Sequence, residues 1–138
     1  MALPVKEVQQ PVEGAGKLAT EPNAVFKDRD ACMEFGAAAL ERGDWAGAEK
    51  AFVKALAFAP KDAAVMRALG RAYQMKHDYD STIQCYRTAL AWQPGNAEVY
   101  YDLGDVYLDR GDLETAMQYH KKAIQLNPGF RQRTRVYF

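Results

Sequence analysis

The chain has 138 residues, with 18 Lys and Arg against 18 Asp and Glu, so its formal net charge is zero. This length fits one domain, and a hydrophobic fraction of 49% argues against wholesale disorder. Zero net charge excludes the simplest nucleic-acid-binding class, which needs a basic excess, so we expect no nucleic-acid partner. No apolar run approaches the roughly 18 residues of a membrane-spanning helix, so we expect no transmembrane segment.

The first 28 residues contain prolines and glycines among polar residues and show no helical period. This composition predicts an extended arm or linker over residues 1–28. The first ten residues lack the apolar run of a signal peptide, so we expect a cytoplasmic location. Cys32 and Cys85 match no CxxC spacing, and we expect two buried free thiols in a reducing compartment.

A period of 34 residues organises the chain from residue 29 to residue 130. The segments 29–62, 63–96 and 97–130 align column by column. Three columns hold one residue type throughout, namely Gly36, Gly70 and Gly104, then Ala55, Ala89 and Ala123, then Pro60, Pro94 and Pro128. Such a period predicts three copies of one supersecondary unit that stack on one another.

Each copy predicts two helices, because its apolar residues recur at three- and four-residue spacing. A short turn separates the two helices at Arg42-Gly43-Asp44, Lys76-His77-Asp78 and Arg110-Gly111-Asp112, and its aspartate caps the second helix. A proline then ends each second helix. The first helices would be capped by Asp28, Asp62 and Asn96. The equivalent position after the third copy is Phe130, which cannot cap, so we expect the array to end there.

These columns resemble the tetratricopeptide repeat (TPR), over 102 of the 138 residues. The third copy departs mainly at His120, where the family prefers an aromatic residue. It otherwise carries the family's residues at Tyr100, Leu103, Gly104, Tyr107, Ala116, Ala123 and Pro128. The resemblance implies an all-α fold, a right-handed superhelical α-solenoid of three antiparallel helix pairs.

The resemblance also implies a concave groove, lined by the first helix of each repeat, that receives a partner segment. On this basis, together with helical spacing for the acidic residues, the expected partner-binding positions are Met33, Ala37, Leu40, Arg67, Arg71, Gln74, Glu98, Tyr101, Asp102, Asp105, Leu108 and Asp109. The groove would then run from an apolar first repeat through two arginines to an acidic third repeat, which favours a partner segment with a basic end.

Alternative interpretations apply to the charged positions of this groove. The acidic stripe, formed by Glu98, Asp102, Asp105 and Asp109, is also typical of a solvated helix face. Tyr101 can equally be a partly packed aromatic, and Arg67 and Arg71 can pair with acids of the next helix. The carboxylate clamp by which some relatives grip acidic chaperone C-termini would need basic residues where this chain has Met33, Glu98 and Asp102, so the sequence argues against that specificity. The clamp would also need asparagine where the chain has Ala37 and Ala68.

The C-terminal residues 131–138 form a basic tail that ends on two aromatics. The tail has a net charge of +3, against −3 for residues 97–130, so it either folds back along the third repeat or docks on an acidic partner. The candidate docking residues are Arg131, Arg133, Arg135, Tyr137 and Phe138. The apolar end of the last helix needs cover from Val136, Tyr137 and Phe138 or from another subunit, and in the second case the chain would belong to a homo-oligomer or to a larger complex.

No residue set in the sequence points to catalysis. Ser81 is the only serine and begins a helix, while His77 and His120 occupy a turn column and a core column, so we expect no enzyme activity, metal or cofactor. We therefore expect a protein–protein interaction module that acts as a scaffold, an assembly factor or an accessory subunit. The alternative is a small type III secretion-class TPR chaperone that holds extended secreted substrates.

Overall fold

The computed structural model describes residues 26–134, and these residues form six α-helices followed by one 3-10 helix. The chain divides into two compact units, unit 1 (Met1–Pro60) and unit 2 (Lys61–Phe138), and each is described by itself. The predicted arm, except for residues 26–28, lies outside the described residues. So do Arg135, Val136, Tyr137 and Phe138 of the predicted tail.

Unit 1 contains a helical hairpin of α1 (Arg29–Arg42) and α2 (Trp45–Phe58). The predicted caps are confirmed, since Asp28 accepts from the backbone N–H of Ala31 and Asp44 accepts from that of Gly47, both at 2.9 Å. Gly43 joins the helices with φ of 79°, a left-handed conformation that glycine adopts without a steric cost.

Unit 2 contains two further hairpins and the 3-10 helix. The first hairpin is α3 (Ala63–Met75) with α4 (Tyr79–Trp92), and the second is α5 (Ala97–Asp109) with α6 (Leu113–Leu126). Helix α4 also packs on α5, and the core between the hairpins includes Tyr86, Val99 and Leu103. The predicted caps and turns are again confirmed, and each second helix ends two residues before its proline.

The glycine column lets the two helices of each hairpin approach closely. A Cβ atom built on Gly70 would lie 2.6 Å from the Tyr86 ring, and one on Gly104 would lie 2.2 Å from Cδ2 of His120. The same relation holds in unit 1, where a Cβ on Gly36 would lie 2.3 Å from the ring of Phe52. Each hairpin therefore pairs a small residue on its first helix with a ring on its second helix.

The 3-10 helix (Pro128–Thr134) follows α6 and returns the chain to the third hairpin. Asn127 starts this turn, since its side chain accepts from the backbone N–H of Gly129 at 3.0 Å. Phe130 is buried against Ala123 and Ile124. Phe130 thus covers part of the apolar end of α6, while Leu126 stays exposed. The predicted cover by residues 136–138 falls on residues outside the described part of the chain.

Candidate functional site

A polar cavity of about 380 Å³ lies between α3, α5 and the 3-10 helix, and we call it the unit 2 cavity. Helix α3 contributes four lining residues, α5 contributes three, and the 3-10 helix contributes one. The lining consists of Arg67, Arg71, Gln74, Met75, Asp102, Asp105, Asp109 and Arg133. Six of these eight are predicted groove residues, so the structure brings most of the second- and third-repeat predictions together at one place.

Arg67 pairs with the acidic stripe at the inner wall of the cavity. Its guanidinium donates to both carboxylate oxygens of Asp102, and to Glu98 at 2.7 Å. Burial raises the pKa of Asp102, and the contact with Arg67 opposes this rise. Burial acts to lower the pKa of Arg67, but the contacts with Asp102 and Glu98 outweigh it and raise that pKa, so Arg67 stays charged. Of the two sequence interpretations for Arg67, the structure shows the ion pair.

Gln74 connects the cavity to the buried core of unit 2. The Tyr86 hydroxyl donates to Oε1 of Gln74 at 3.2 Å, and Nε2 of Gln74 donates to Asp109 at 3.4 Å. Tyr86 is fully buried, and this burial raises the pKa of its hydroxyl. Because both ends of the Gln74 amide are engaged, its side chain is held in place, while Arg71 and Asp109 are exposed at the rim.

Tyr101 is only 8% exposed, so it is a packed aromatic, the second of its two sequence interpretations, rather than an open groove residue. Phe130 stacks on its ring at a centroid distance of 5.0 Å, and the guanidinium carbon of Arg133 lies 4.4 Å from the ring centroid. The Tyr101 hydroxyl donates to the carbonyl of Arg133 at 3.0 Å. Burial raises the pKa of Tyr101. The physical reason for the difference is that the 3-10 helix covers the ring.

His120 supports Tyr101 from the opposite helix of the hairpin. The two rings lie 4.7 Å apart, and Nε2 of His120 lies 3.1 Å from Oδ1 of Asp105. The sequence pattern marked His120 as a departure in a core aromatic column, and its burial agrees with a structural position. The Asp105 contact was not predicted, because the repeat columns compare equivalent positions and do not report which two side chains meet.

The other predicted groove residues are not among those that line the unit 2 cavity. Leu108 is half-buried on α5. Helix α1 of unit 1 carries Met33 and Leu40, both half-buried, and the exposed Ala37. Of the tail residues, Arg133 lines the cavity and Arg131 is an exposed residue of the same 3-10 helix.

Residues 26–134 contain no group of three or more His, Cys, Asp and Glu side chains that could hold a metal ion. Both cysteines are buried thiols, and burial raises the pKa of Cys32 to about 11, which disfavours its reactive thiolate form. What the site offers is hydrogen-bonding groups and charges of both signs on fixed helices. None of the helices within the described part of the chain has the length and apolarity needed to cross a bilayer.

Two tetratricopeptide-repeat family models match the chain, one over residues 62–128 and the other over residues 33–81, and together they cover more than half of it. The chain is a tetratricopeptide-repeat protein. This confirms the predicted all-α solenoid class and the family assignment. No curated protein sequence matches the chain significantly.

Solved structures of other TPR proteins are similar to the chain. MamA is 21% identical with a TM-score of 0.69, and the match covers 92% of this chain and 74% of MamA. The first TPR domain of Spaghetti (RPAP3), solved with an HSP90 peptide, is 17% identical with a TM-score of 0.67, and the match covers 73% of this chain and 80% of that domain. At these identities the likeness shows the fold alone.

An O-GlcNAc transferase from Thermobaculum terrenum is 27% identical with a TM-score of 0.65. The match covers 72% of this chain but only 19% of the transferase. The likeness therefore concerns a short part of that enzyme.

Proposed function

We propose that this TPR protein is a protein-interaction module that binds an extended partner segment at the unit 2 cavity and acts as a scaffold, an assembly factor or an accessory subunit. The observation that carries this proposal is the cavity itself, where side chains of α3 and α5 present both signs of charge on rigid helices. The HSP90 peptide held by the RPAP3 domain supports a peptide as the class of ligand, since the two domains share a fold.

The charges of the cavity define the chemistry of the segment. Arg67 neutralises Asp102 and also contacts Glu98, so these acids attract a ligand less than their number suggests. Asp105 and Asp109 remain on the α5 side, and Arg71 remains on the α3 side. A segment with a basic group toward α5 and an acidic or polar group toward α3 is therefore complementary to this surface.

An acidic chaperone C-terminus of the kind that a carboxylate clamp grips does not fit the same surface. By resemblance to the family, Glu98 and Asp102 stand where that clamp has basic residues. A terminal carboxylate at this place would meet Glu98 and would compete with Asp102 for Arg67. We therefore propose a ligand different from the HSP90 peptide of the RPAP3 complex.

The test is affinity capture from the native host with the full chain as bait, followed by quantitative mass spectrometry. The Arg71→Glu variant reverses the exposed charge of α3 inside the cavity, and Arg87→Glu makes the same change on an exposed position of α4. We expect Arg87→Glu to recover the partner like the parent chain and Arg71→Glu to recover about tenfold less, because one misplaced charge costs at least ~1.4 kcal/mol.

The identity of the captured proteins then distinguishes the two functions. One assembly in fixed stoichiometry supports the scaffold or subunit role, and a set of secreted proteins supports the secretion-chaperone alternative. Equal recovery by the parent chain and both variants would show that the unit 2 cavity is not the binding site.

A further inference from the structure

Arg133 is held against the third-repeat end of the unit 2 cavity by both its side chain and its backbone. Its guanidinium lies over the rings of Tyr101 and Phe130, at 4.4 Å and 5.1 Å from their centroids. Its carbonyl accepts the hydroxyl proton of Tyr101 at 3.0 Å. This is the way in which an arginine of a bound peptide engages an aromatic side chain.

The charges around Arg133 fit the same description. Arg133 lines the cavity together with Asp105 and Asp109. The third repeat, residues 97–130, has a net charge of −3, and the four residues that follow it carry two arginines and no acid. The 3-10 helix thus presents a basic group to an acidic surface, which is the complementarity proposed above for a partner segment.

The parts of the 3-10 helix differ in how firmly they are held. Phe130 and Thr134 are buried, and the Thr134 hydroxyl donates to the carbonyl of Arg131 at 3.0 Å. Arg133 is exposed at the surface between them. An exposed cation–π contact is weak on its own, and it persists here because the chain keeps the arginine near the ring at high effective concentration.

We propose that the segment Pro128–Thr134 is an intramolecular ligand, and that an arginine-bearing partner segment binds Tyr101 only after Arg133 has left the ring. The surface therefore selects a basic segment, and the 3-10 helix of the same chain regulates access to it. The inference that an arginine-bearing partner segment competes with Arg133 rests on the proposed function, whereas the contact of Arg133 with Tyr101 does not.

An NMR titration of the full-length chain tests the occupancy directly, because it detects binding in the millimolar range. The probe is a capped synthetic peptide with the sequence of residues 128–134. We expect the Arg133→Ala variant to bind it about fivefold tighter than the parent chain, the factor that one exposed cation–π contact is worth. The shifted amide signals should include those of Tyr101 and Asp105.

Two further variants control the titration. Lys121→Ala removes the same charge from an exposed position of α6, and it should bind the peptide like the parent chain. The double variant Tyr101→Leu/Arg133→Ala also removes the aromatic face. It should therefore not show the tighter peptide binding that is expected of Arg133→Ala. Equal binding by the parent chain and Arg133→Ala, no binding by Arg133→Ala, or a gain that survives Tyr101→Leu would each overturn the proposal.

Affinity capture with Arg133→Ala separates this inference from the proposed function. We expect it to recover more of the partner than the parent chain does. If both baits recover the same partner equally and Arg71→Glu loses it, the regulation is wrong and the interaction function stands. If no bait recovers a partner but the titration behaves as expected, the interaction function fails and the intramolecular contact stands.

Discussion

At the scale of single residues, His77 in the turn between α3 and α4 adopts a backbone conformation that residues with a side chain disfavour. His77 has φ of 64°, in the left-handed region, where the equivalent turns of the other two repeats have Gly43 and Gly111. A residue with a Cβ atom pays about 1–2 kcal/mol in this region. The contact at 3.2 Å between Nδ1 of His77 and the Tyr79 hydroxyl offsets part of this cost.

Replacing His77 by glycine should therefore stabilise the protein. We expect His77→Gly to raise the free energy of unfolding by about 0.5–1 kcal/mol. The reason is that the strain energy relieved exceeds the sum of the energy of the lost contact and the entropic cost of a more flexible unfolded chain. Urea denaturation at neutral pH measures this. The matched change Gly111→His should lower the free energy of unfolding by about 1 kcal/mol. A loss of stability in His77→Gly would mean that the contact with Tyr79 outweighs the strain.

At the scale of helices, the hairpins depend on the approach of a glycine to a ring. In the third repeat the glycine is Gly104 and the ring is that of His120, which is nearly fully buried and also contacts Tyr101 and Asp105. A ring that is packed on several sides cannot move away at little cost. The distance between α5 and α6 is therefore fixed by the absence of a Cβ atom at Gly104.

A single methyl group at Gly104 should separate these helices. We expect Gly104→Ala to lower the free energy of unfolding by about 1–3 kcal/mol, because the new Cβ would overlap the His120 ring. Thermal and urea unfolding both report this change. Gly95→Ala is the control, since a Cβ there meets no atom within 4 Å, and it should change stability by less than about 0.5 kcal/mol. Comparable losses in the two variants would contradict the packing explanation.

The sequence predicted the helices well because their signals are local. The six caps, the turn glycines and the prolines each act within a few residues of the helix end that they mark, so these local signals placed the six α-helices that residues 26–134 form. The 3-10 helix was missed because a segment of this length has too few internal hydrogen bonds to leave a periodic pattern. It forms because Phe130 has Tyr101 and Ile124 to pack against.

At the scale of the whole molecule, the charge of the chain is distributed in a way that its net value of zero conceals. In unit 2, Arg67 of the second repeat pairs with Asp102 and Glu98 of the third repeat. The Asp102 side chain is only 13% exposed, whereas that of Glu98 is 58% exposed. The pair therefore links two repeats, and Asp102 is the partner that most needs the arginine.

Removal of the arginine should produce a pH-dependent loss of stability. We expect Arg67→Ala to lower the free energy of unfolding by about 1–3 kcal/mol at pH 7, because it leaves Asp102 charged and largely buried without its cation. Burial already raises the pKa of Asp102, and without Arg67 nothing in that pair opposes the rise. The folded variant then binds a proton at a higher pH than the unfolded chain does, so the deficit should shrink as the pH falls through the pKa of Asp102.

Urea denaturation of the parent chain and of Arg67→Ala over pH 4–7 checks this expectation. Arg87→Ala removes the same charge from an exposed position of α4 and should leave both the stability and its pH dependence near those of the parent chain. A deficit that is constant with pH would show that Arg67 acts by packing rather than by its charge.

The sequence by itself determined the repeat, the helix pairs and the family, because caps, turns and apolar spacing act between residues that are close along the chain. Only the tertiary structure decided which charges and rings of the candidate site remain open. Arg67 meets Asp102 across 35 positions of sequence, and Tyr101 meets Arg133 across 32. A periodic pattern shows that two such residues share a face, but it does not encode the distance between them. That distance depends on how successive helices pack and on where a short terminal helix finds an apolar partner.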